Sequence, residues 1–322
     1  MNFILDQMTF VKYYIPLVLA GNKRGLNSTF YYKPKPAKYN CPIKNFKHLE
    51  CLSKEYGFKI KPLGPEYLEG LSFFIESVSA EEVRSDKKIS FTYMTDYILR
   101  TKKYPPYFDH IDHCIFPSKS FSRFAGLENH PKSLHLGSPK YDIDFDDQEI
   151  SKKYNLSKKN ALILFPRSEY VRSIDFGKIF KSLSDLDYKI FIKTRGKDPV
   201  NPQTYPDAVV LHDESWFPHP SLELLHSCDL MINFDSTGVK EAIMLDTPTI
   251  NFNTKTRDRG FYGRLPYLVN ESCVIHATDF NITDKLLEVE SRDFTEDFKE
   301  TRKKHLFERK GVCDNIISHF ST

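Results

Sequence analysis

The order of apolar runs along this 322-residue chain predicts an α/β protein built on parallel sheets. Short continuous apolar runs, such as Ala161-Leu162-Ile163-Leu164-Phe165 and Leu230-Met231-Ile232, have the length and composition of strands buried on both faces. They alternate with longer stretches of helical periodicity, and a strand, helix, strand order makes neighbouring strands parallel with the helix as crossover. The length, with 40% hydrophobic residues, fills one large or two ordinary domains.

Asn2 to Leu5 reads as the first strand, a helix is expected from about Thr9 to Ala20 with a stop at Gly21, and Ser28 to Tyr32 is the second strand. Lys33 to Pro42, with prolines at 34, 36 and 42, is a loop. A helix from Phe46 to Tyr56 ends at Gly57, and Phe58 begins a short strand. Tyr67 to Val78 has the spacing of a second amphipathic helix, and Lys88 to Met94 reads as a strand. Ile111 to Ser118 is a strand leaving a loop, and Lys119 to Phe124 a short helix. Gly137 and Pro139 turn the chain sharply into an acidic, irregular linker over Asp142 to Glu149.

Beyond the linker the alternation resumes. Gln148 to Tyr154 is helical, Ala161 to Phe165 a strand, Asp175 to Leu186 an amphipathic helix, Tyr188 to Lys193 and Ala208 to His212 strands, and Ser221 to Ser227 a helix. The run Cys228 to Asn253 is the most informative. Its strand, Leu230 to Ile232, passes into the polar residues Asn233, Asp235, Ser236, Thr237 and Gly238. Val239, Ala242, Ile243 and Leu245 then recur at helical spacing until Pro248, and Thr249 to Phe252 is the next strand. A small-residue loop between a strand's carboxyl end and a helix's amino end presents free backbone N–H groups to an anion. The same residues serve an ordinary helix cap equally well. Ser272 to Ala277 is the last strand, and Asp293 to Phe320 one charged helical region.

Composition narrows the function. With 46 basic against 43 acidic residues, the net charge of +3 argues against a nucleic-acid partner. The six cysteines have no CxxC spacing and read as reduced core residues. Asp109-His110-Ile111-Asp112-His113 holds ligand-capable side chains without a partner motif, so no metal is expected. The apolar amino terminus is interrupted by Asp6, Lys12 and Pro16, which fits neither a signal sequence nor a spanning helix and points to a cytoplasmic protein.

The segment Asp235-Ser236-Thr237-Gly238 through Glu241, Ala242, Thr247 and Pro248 resembles the nucleotide-diphosphate-sugar loop of GT-B glycosyltransferases. It is similar above all to that of CDP-glycerol glycerophosphotransferase-like enzymes and of UDP-N-acetylglucosamine 2-epimerase. Gly137-Ser138-Pro139 to Asp142 resembles the segment that closes the amino-terminal domain there. Pro166-Arg167-Ser168 and Lys193 to Pro199 resemble two further elements of those families. The resemblance implies a GT-B fold, two Rossmann-like domains with a cleft between them. Residues 1–142 would be the acceptor domain and 143–322 the nucleotide-donor domain, with the last helix placed to pack back on the first.

The implied activity is transfer of a sugar, or of a polyol phosphate, from a CMP-, CDP-, UDP- or GDP-linked donor to a glycan or lipid-linked glycan during surface-polysaccharide assembly, without a metal or other cofactor. Asp235, Ser236, Thr237 and Gly238 would bind the donor at its diphosphate, with Arg167, Ser168, Lys193 and Arg195 adding donors and positive charge. Glu241 would bind ribose hydroxyls, and Ser215 and Trp216 lie in the loop expected at the base. Asp6 and His110 are acceptor-side candidates, and Asp96, at an expected strand end, is the candidate catalytic base. The chain departs from the pattern in two places: it has no His-Gly pair near Asp96, and the loop Lys255 to Gly263 lacks the glutamates of the epimerase. A UDP-sugar 2-epimerase and a non-catalytic glycan-binding or partner module are the alternatives. The lysines and arginines of the amino-terminal half raise the expectation of peripheral contact with the inner face of a membrane.

Overall fold

The computed structural model describes residues 1–34, 41–76, 79–92, 108–124, 126–166, 172–194, 199–212, 216–254, 266–305 and 309–321. The chain divides into two compact units, Met1–Ile143 with Lys303–Thr322, and Asp144–Arg302.

In the first unit, β1 (Asn2–Leu5), β2 (Thr29–Tyr32), β3 (Lys59–Pro62), β4 (Tyr67–Ile75), β5 (Arg84–Phe91), β6 (His113–Ile115) and β7 (Ser133–Leu134) form one parallel sheet. Its order is β3-β2-β1-β4-β5-β6-β7, so the winding reverses between β1 and β4. The helices are α1 (Val11–Lys23), α2 (Phe46–Tyr56) and α3 (Lys119–Phe124). The core at the reversal is aromatic. Phe3 of β1 stacks on Phe73 of β4 at 5.2 Å between ring centroids and lies 5.0 Å from Tyr14 of α1. Tyr14 is wholly buried, and its hydroxyl donates to the carbonyl oxygens of Ile4 (3.0 Å) and Phe73 (3.4 Å).

Three expectations about this unit are corrected. First, α1 does not stop at Gly21 but runs to Lys23, and the left-handed residue that ends it is Gly25, at φ 72°. A Cβ at Gly21 would meet Met1 Cε, the flexible end of a side chain that can turn aside. Second, Tyr67 to Val78 holds strand β4, not a helix. Gly70, at φ 79°, marks a shift of register between Leu68 and Leu71. That irregularity breaks the strand's alternation and leaves Leu68, Leu71 and Ile75 at helix-like intervals. β5 also begins at Arg84, ahead of Lys88, and Asp86 accepts hydrogen bonds from Tyr67 Oη (2.6 Å) and Gly70 N (2.5 Å) of β4.

The second unit has a six-stranded parallel sheet of β8 (Asn160–Leu164), β9 (Lys189–Lys193), β10 (Ala208–Leu211), β11 (Leu230–Asn233), β12 (Thr249–Phe252) and β13 (Val274–Ala277), in the order β10-β9-β8-β11-β12-β13. The helices after the linker are α4 (Asp147–Tyr154), α5 (Phe176–Asp185), α6 (Pro220–Ser227), α7 (Val239–Met244), α8 (Ile282–Ser291) and α9 (Thr295–His305). Capping explains two of these starts: the Asp146 carboxylate accepts from the amides of Gln148 and Glu149, both at 2.9 Å, and Asp175 accepts from that of Lys178. The charged carboxyl-terminal region is two helices rather than one, α9 and α10 (Val312–Phe320), with Gly311 left-handed at φ 75° just before the second. In the first unit, α10 packs on α1, and Arg24 bridges to Asp314 at 2.9 Å. Among the described residues, no helix is long and apolar enough to cross a membrane.

Candidate functional site

The winding of the second sheet reverses between β8 and β11, and ligands of open parallel sheets bind at the carboxyl ends of strands beside such a reversal. The loop that leaves β11 there is held by side-chain hydrogen bonds to β12. Asn233 and Asn251, both wholly buried, end or nearly end their apolar strands, and Asn233 Nδ2 donates to Asn251 Oδ1 at 2.7 Å. The same oxygen accepts from the amide of Asp235 (3.0 Å), while Asn251 Nδ2 donates to Asp235 Oδ1 (2.9 Å). The second carboxylate oxygen of Asp235 accepts from Thr254 N (2.6 Å) and Thr254 Oγ1 (3.3 Å). Asp235 is left-handed at φ 47°, a conformation that aspartate and asparagine tolerate better than most residues.

Past this clasp, Ser236 Oγ accepts from the amide of Gly238 at 3.0 Å, so the serine performs part of a cap's work. The amides of Lys240 and Glu241 turn back to the carbonyls of Thr237 and Gly238 at 3.2 and 2.9 Å, opening α7. Among the described residues, no acceptor meets the amides of Ser236 and Thr237, and the buried Oδ1 of Asn233 has no donor. Gly238 lies against the end of β8, where a Cβ would meet Leu164 Cδ1. Two unspent amide donors at the end of β11 and the head of α7 make this loop fit to receive an anionic oxygen.

Glu241, in the first turn of α7 and half-buried, accepts from Ser221 Oγ of α6 at 3.3 Å, and that hydroxyl lies 2.5 Å from Nδ1 of His219. Lys193 ends β9, half-buried, with Nζ 3.4 Å from the carbonyl of Thr194. Trp216 follows β10, half-buried, with φ 54°. The loop residues and Glu241 thus come together on one strand-to-helix connection, while Lys193 ends one other strand of the same sheet and Trp216 follows a second.

The acceptor-side candidates lie in the first unit. Asp6 follows β1; its carboxylate accepts from Ser79 Oγ at 2.5 Å and lies 3.6 Å from Lys33 Nζ, which also meets Glu82 at 3.0 Å. Burial raises the Asp6 pKa, against the opposing pull of the Ser79 hydrogen bond and the Lys33 charge. His110 is exposed in the turn before β6, 4.0 Å from a carboxylate oxygen of Glu81. Asp96, Arg167, Ser168, Arg195 and Ser215 lie outside the described residues. Among the described residues, no group of three or more histidine, cysteine and acidic side chains is placed to hold a metal ion. The site residues that sequence reasoning passed over as partners are Asn251, Thr254 and Ser221. The signal for the first was an asparagine inside an apolar strand, which must find a side-chain or main-chain partner once buried.

No protein-family model matches the sequence, and no curated protein matches it. Solved structures match over nearly the whole chain. The wall teichoic acid polymerase TagF aligns with a TM-score of 0.64 at 14% identity, over 99% of this chain and 88% of that one. The glycosyltransferase VinC in complex with dTDP aligns at 0.54 and 9% identity, over 100% of both chains. A Listeria monocytogenes protein assigned as a UDP-N-acetylglucosamine 2-epimerase aligns at 0.58 and 12%, over 99% of this chain and 96% of that one. The chain has the GT-B fold. At such identities the likeness is one of fold, and fold alone does not name a reaction. The GT-B frame is shared by glycosyltransferases, TagF and 2-epimerases. The parallel sheets of seven and six strands are this chain's version of it.

Proposed function

We propose that this chain is a nucleotide-sugar-dependent glycosyltransferase, or a polyol-phosphate transferase, that uses a CMP-, CDP-, UDP- or GDP-linked donor and a glycan or lipid-linked glycan acceptor. The observation that carries the reading is the pair of amides, at Ser236 and Thr237, that meet no acceptor among the described residues, at the carboxyl end of β11 in a GT-B fold. Those amides would hydrogen-bond the donor's diphosphate, and the positive end of the short helix dipole would add to them. Lys193, with Arg167, Ser168 and Arg195, would supply further donors and charge as negative charge develops on the leaving phosphate. Glu241, held by Ser221, would accept from ribose hydroxyls, and Trp216 would cover the base.

An acceptor hydroxyl is a weak nucleophile and needs a base within hydrogen-bond reach, the role proposed for Asp96, while Asp6 and His110 would orient the acceptor. No step of this scheme needs a metal, because amides and basic side chains do the work of charge neutralisation. The complex of VinC with dTDP supports a nucleotide reading, and the likeness to TagF supports a polymer-building one.

Titration calorimetry of the folded protein with CMP, CDP, UDP and GDP tests the proposal. A nucleotide diphosphate is expected to bind more tightly than its monophosphate, and absence of heat with all four overturns it. The near-complete match to the Listeria protein favours one second reading, a 2-epimerase. Incubation with UDP-N-acetylglucosamine and no acceptor separates the two, since only the epimerase yields a product epimeric at C2.

A further inference from the structure

We propose that Asp235 and Asn251 are positioning residues that hold the Ser236 to Gly238 loop in shape, and that Asp235 itself makes no contact with the donor. This inference rests on the reading of that loop as the diphosphate site and gives its aspartate a different task from the residues that follow it.

The carboxylate of Asp235 is already engaged on both oxygens. One oxygen accepts from Asn251 Nδ2 and the other from Thr254 N and Oγ1. A carboxylate turned toward a diphosphate would repel it, whereas here the charge is directed toward β12 and Thr254. The orientation of each amide side chain follows from its neighbour. Asn251 Oδ1 must face the N–H of Asp235, which turns Nδ2 to the Asp235 carboxylate. Asn233 must then offer Nδ2 to Asn251 Oδ1 and, at 3.4 Å, to the Ser236 carbonyl, which leaves its own Oδ1 without a donor among the described residues, 3.8 Å from where a Cβ of Gly238 would stand.

That buried oxygen belongs to the last residue of the strand that leads into the loop, whose Ser236 and Thr237 amides also meet no acceptor among the described residues. A loop free to sag would let such donors and acceptor satisfy one another, since leaving a buried polar group unpaired is costly. The clasp on Asp235, with the backbone at φ 47°, keeps them apart and so keeps the amides available. Preorganised donors gain their advantage because no reorganisation is needed when the anion arrives.

The test is a swap. Asp235→Asn keeps size and tolerance of the left-handed backbone, but one carbonyl oxygen now has to serve donors that two carboxylate oxygens shared. Asn251→Asp sets two carboxylates against each other. The double variant, Asp235→Asn with Asn251→Asp, restores a complementary pair. Its new carboxylate at position 251 accepts from the side-chain amides on either side of it, and the new amide at position 235 turns its carbonyl oxygen to Thr254. CDP, UDP, CMP and UMP are titrated into the parent protein and the three variants, and thermal melting is followed without nucleotide. Asp235→Asn is expected to weaken diphosphate binding about tenfold and Asn251→Asp more, with recovery to within about threefold in the double variant. Monophosphate affinity is expected to move less, which a general loss of folding would not produce. If the parent binds and the double variant stays as weak as Asp235→Asn, or Asp235→Asn binds like the parent, the positioning role is overturned. If the parent binds no nucleotide, the reading of the site falls instead. The melting temperatures then still decide the clasp: additive losses in the double variant exclude it, and recovery supports it.

Discussion

Gly238, at the head of α7, lies against Leu164, the last residue of β8, so closely that any Cβ would collide with Leu164 Cδ1. The contact brings the loop after β11 down onto the neighbouring strand at the reversal of the sheet. Gly238→Ala is therefore expected to push the tip of the Leu164 side chain aside or to lift the loop, at a cost near the lower end of the roughly 1–3 kcal/mol of overpacking because a side-chain tip gives way readily. Nucleotide diphosphate affinity should fall about tenfold or more, for about 1.4 kcal/mol of lost binding. Calorimetry and urea unfolding of the same variant check both, and parent-like affinity would show that Leu164 gives way and the loop keeps its place.

Tyr14 ties α1 to two strands of the first sheet through the carbonyls of Ile4 and Phe73. Burial holds its hydroxyl well above the ordinary phenol pKa, so it remains a donor throughout the physiological range. Tyr14→Phe removes the donor and leaves the ring packed on Phe3. The expected loss is about 1–2 kcal/mol by urea unfolding.

His113 and His135 both have pKa values lowered chiefly by burial, with nearby lysines, Lys87 and Lys119, adding to the effect. His135 Nε2 lies 2.7 Å from Ser122 Oγ, and His113 Nδ1 is buried with no hydrogen-bond partner among the described residues. Because the unfolded chain takes up these protons more readily, their contribution is fully present above the ordinary histidine pKa of about 6.5 and is lost as pH falls below it. Melting temperature should drop between about pH 7.5 and pH 5.5, across that value, and the drop should shrink in a His113→Gln, His135→Gln double variant.

Asp6 carries the opposite sign. Burial raises its folded pKa, so ionisation costs the folded state, and its contribution to stability declines as pH rises from the ordinary aspartate value toward the raised one. Asp6→Asn is expected to melt higher than the parent at neutral pH, with the difference closing below about pH 4, where the parent carboxyl is protonated in both states. A variant that melts lower at neutral pH would show that the Ser79 and Lys33 contacts outweigh the burial.

Much of the second unit was legible because its local signals agree. The apolar runs at Ala161 to Phe165 and Leu230 to Ile232 became β8 and β11, and the amphipathic stretch after Asp175 became α5 with that aspartate as its cap. β4 was misread because Gly70 shifts the register and makes a strand's apolar residues fall at helical intervals. At the site, the small-residue loop could be located from its neighbours in the chain. The division of labour within it could not, since Asp235 meets Asn251 and Thr254 only when β11 and β12 lie side by side.

Sequence alone determined the alternation of strands and helices, the parallel pairing it enforces, and the place of the polar loop between β11 and α7. These follow from apolar periodicity and from caps, which act within a few residues of each other. Only the tertiary structure decided which oxygen and which amide are spent and which are left over. Hydrogen bonds saturate, and whether Ser236 and Thr237 keep a free donor depends on every acceptor that a neighbouring strand brings within reach.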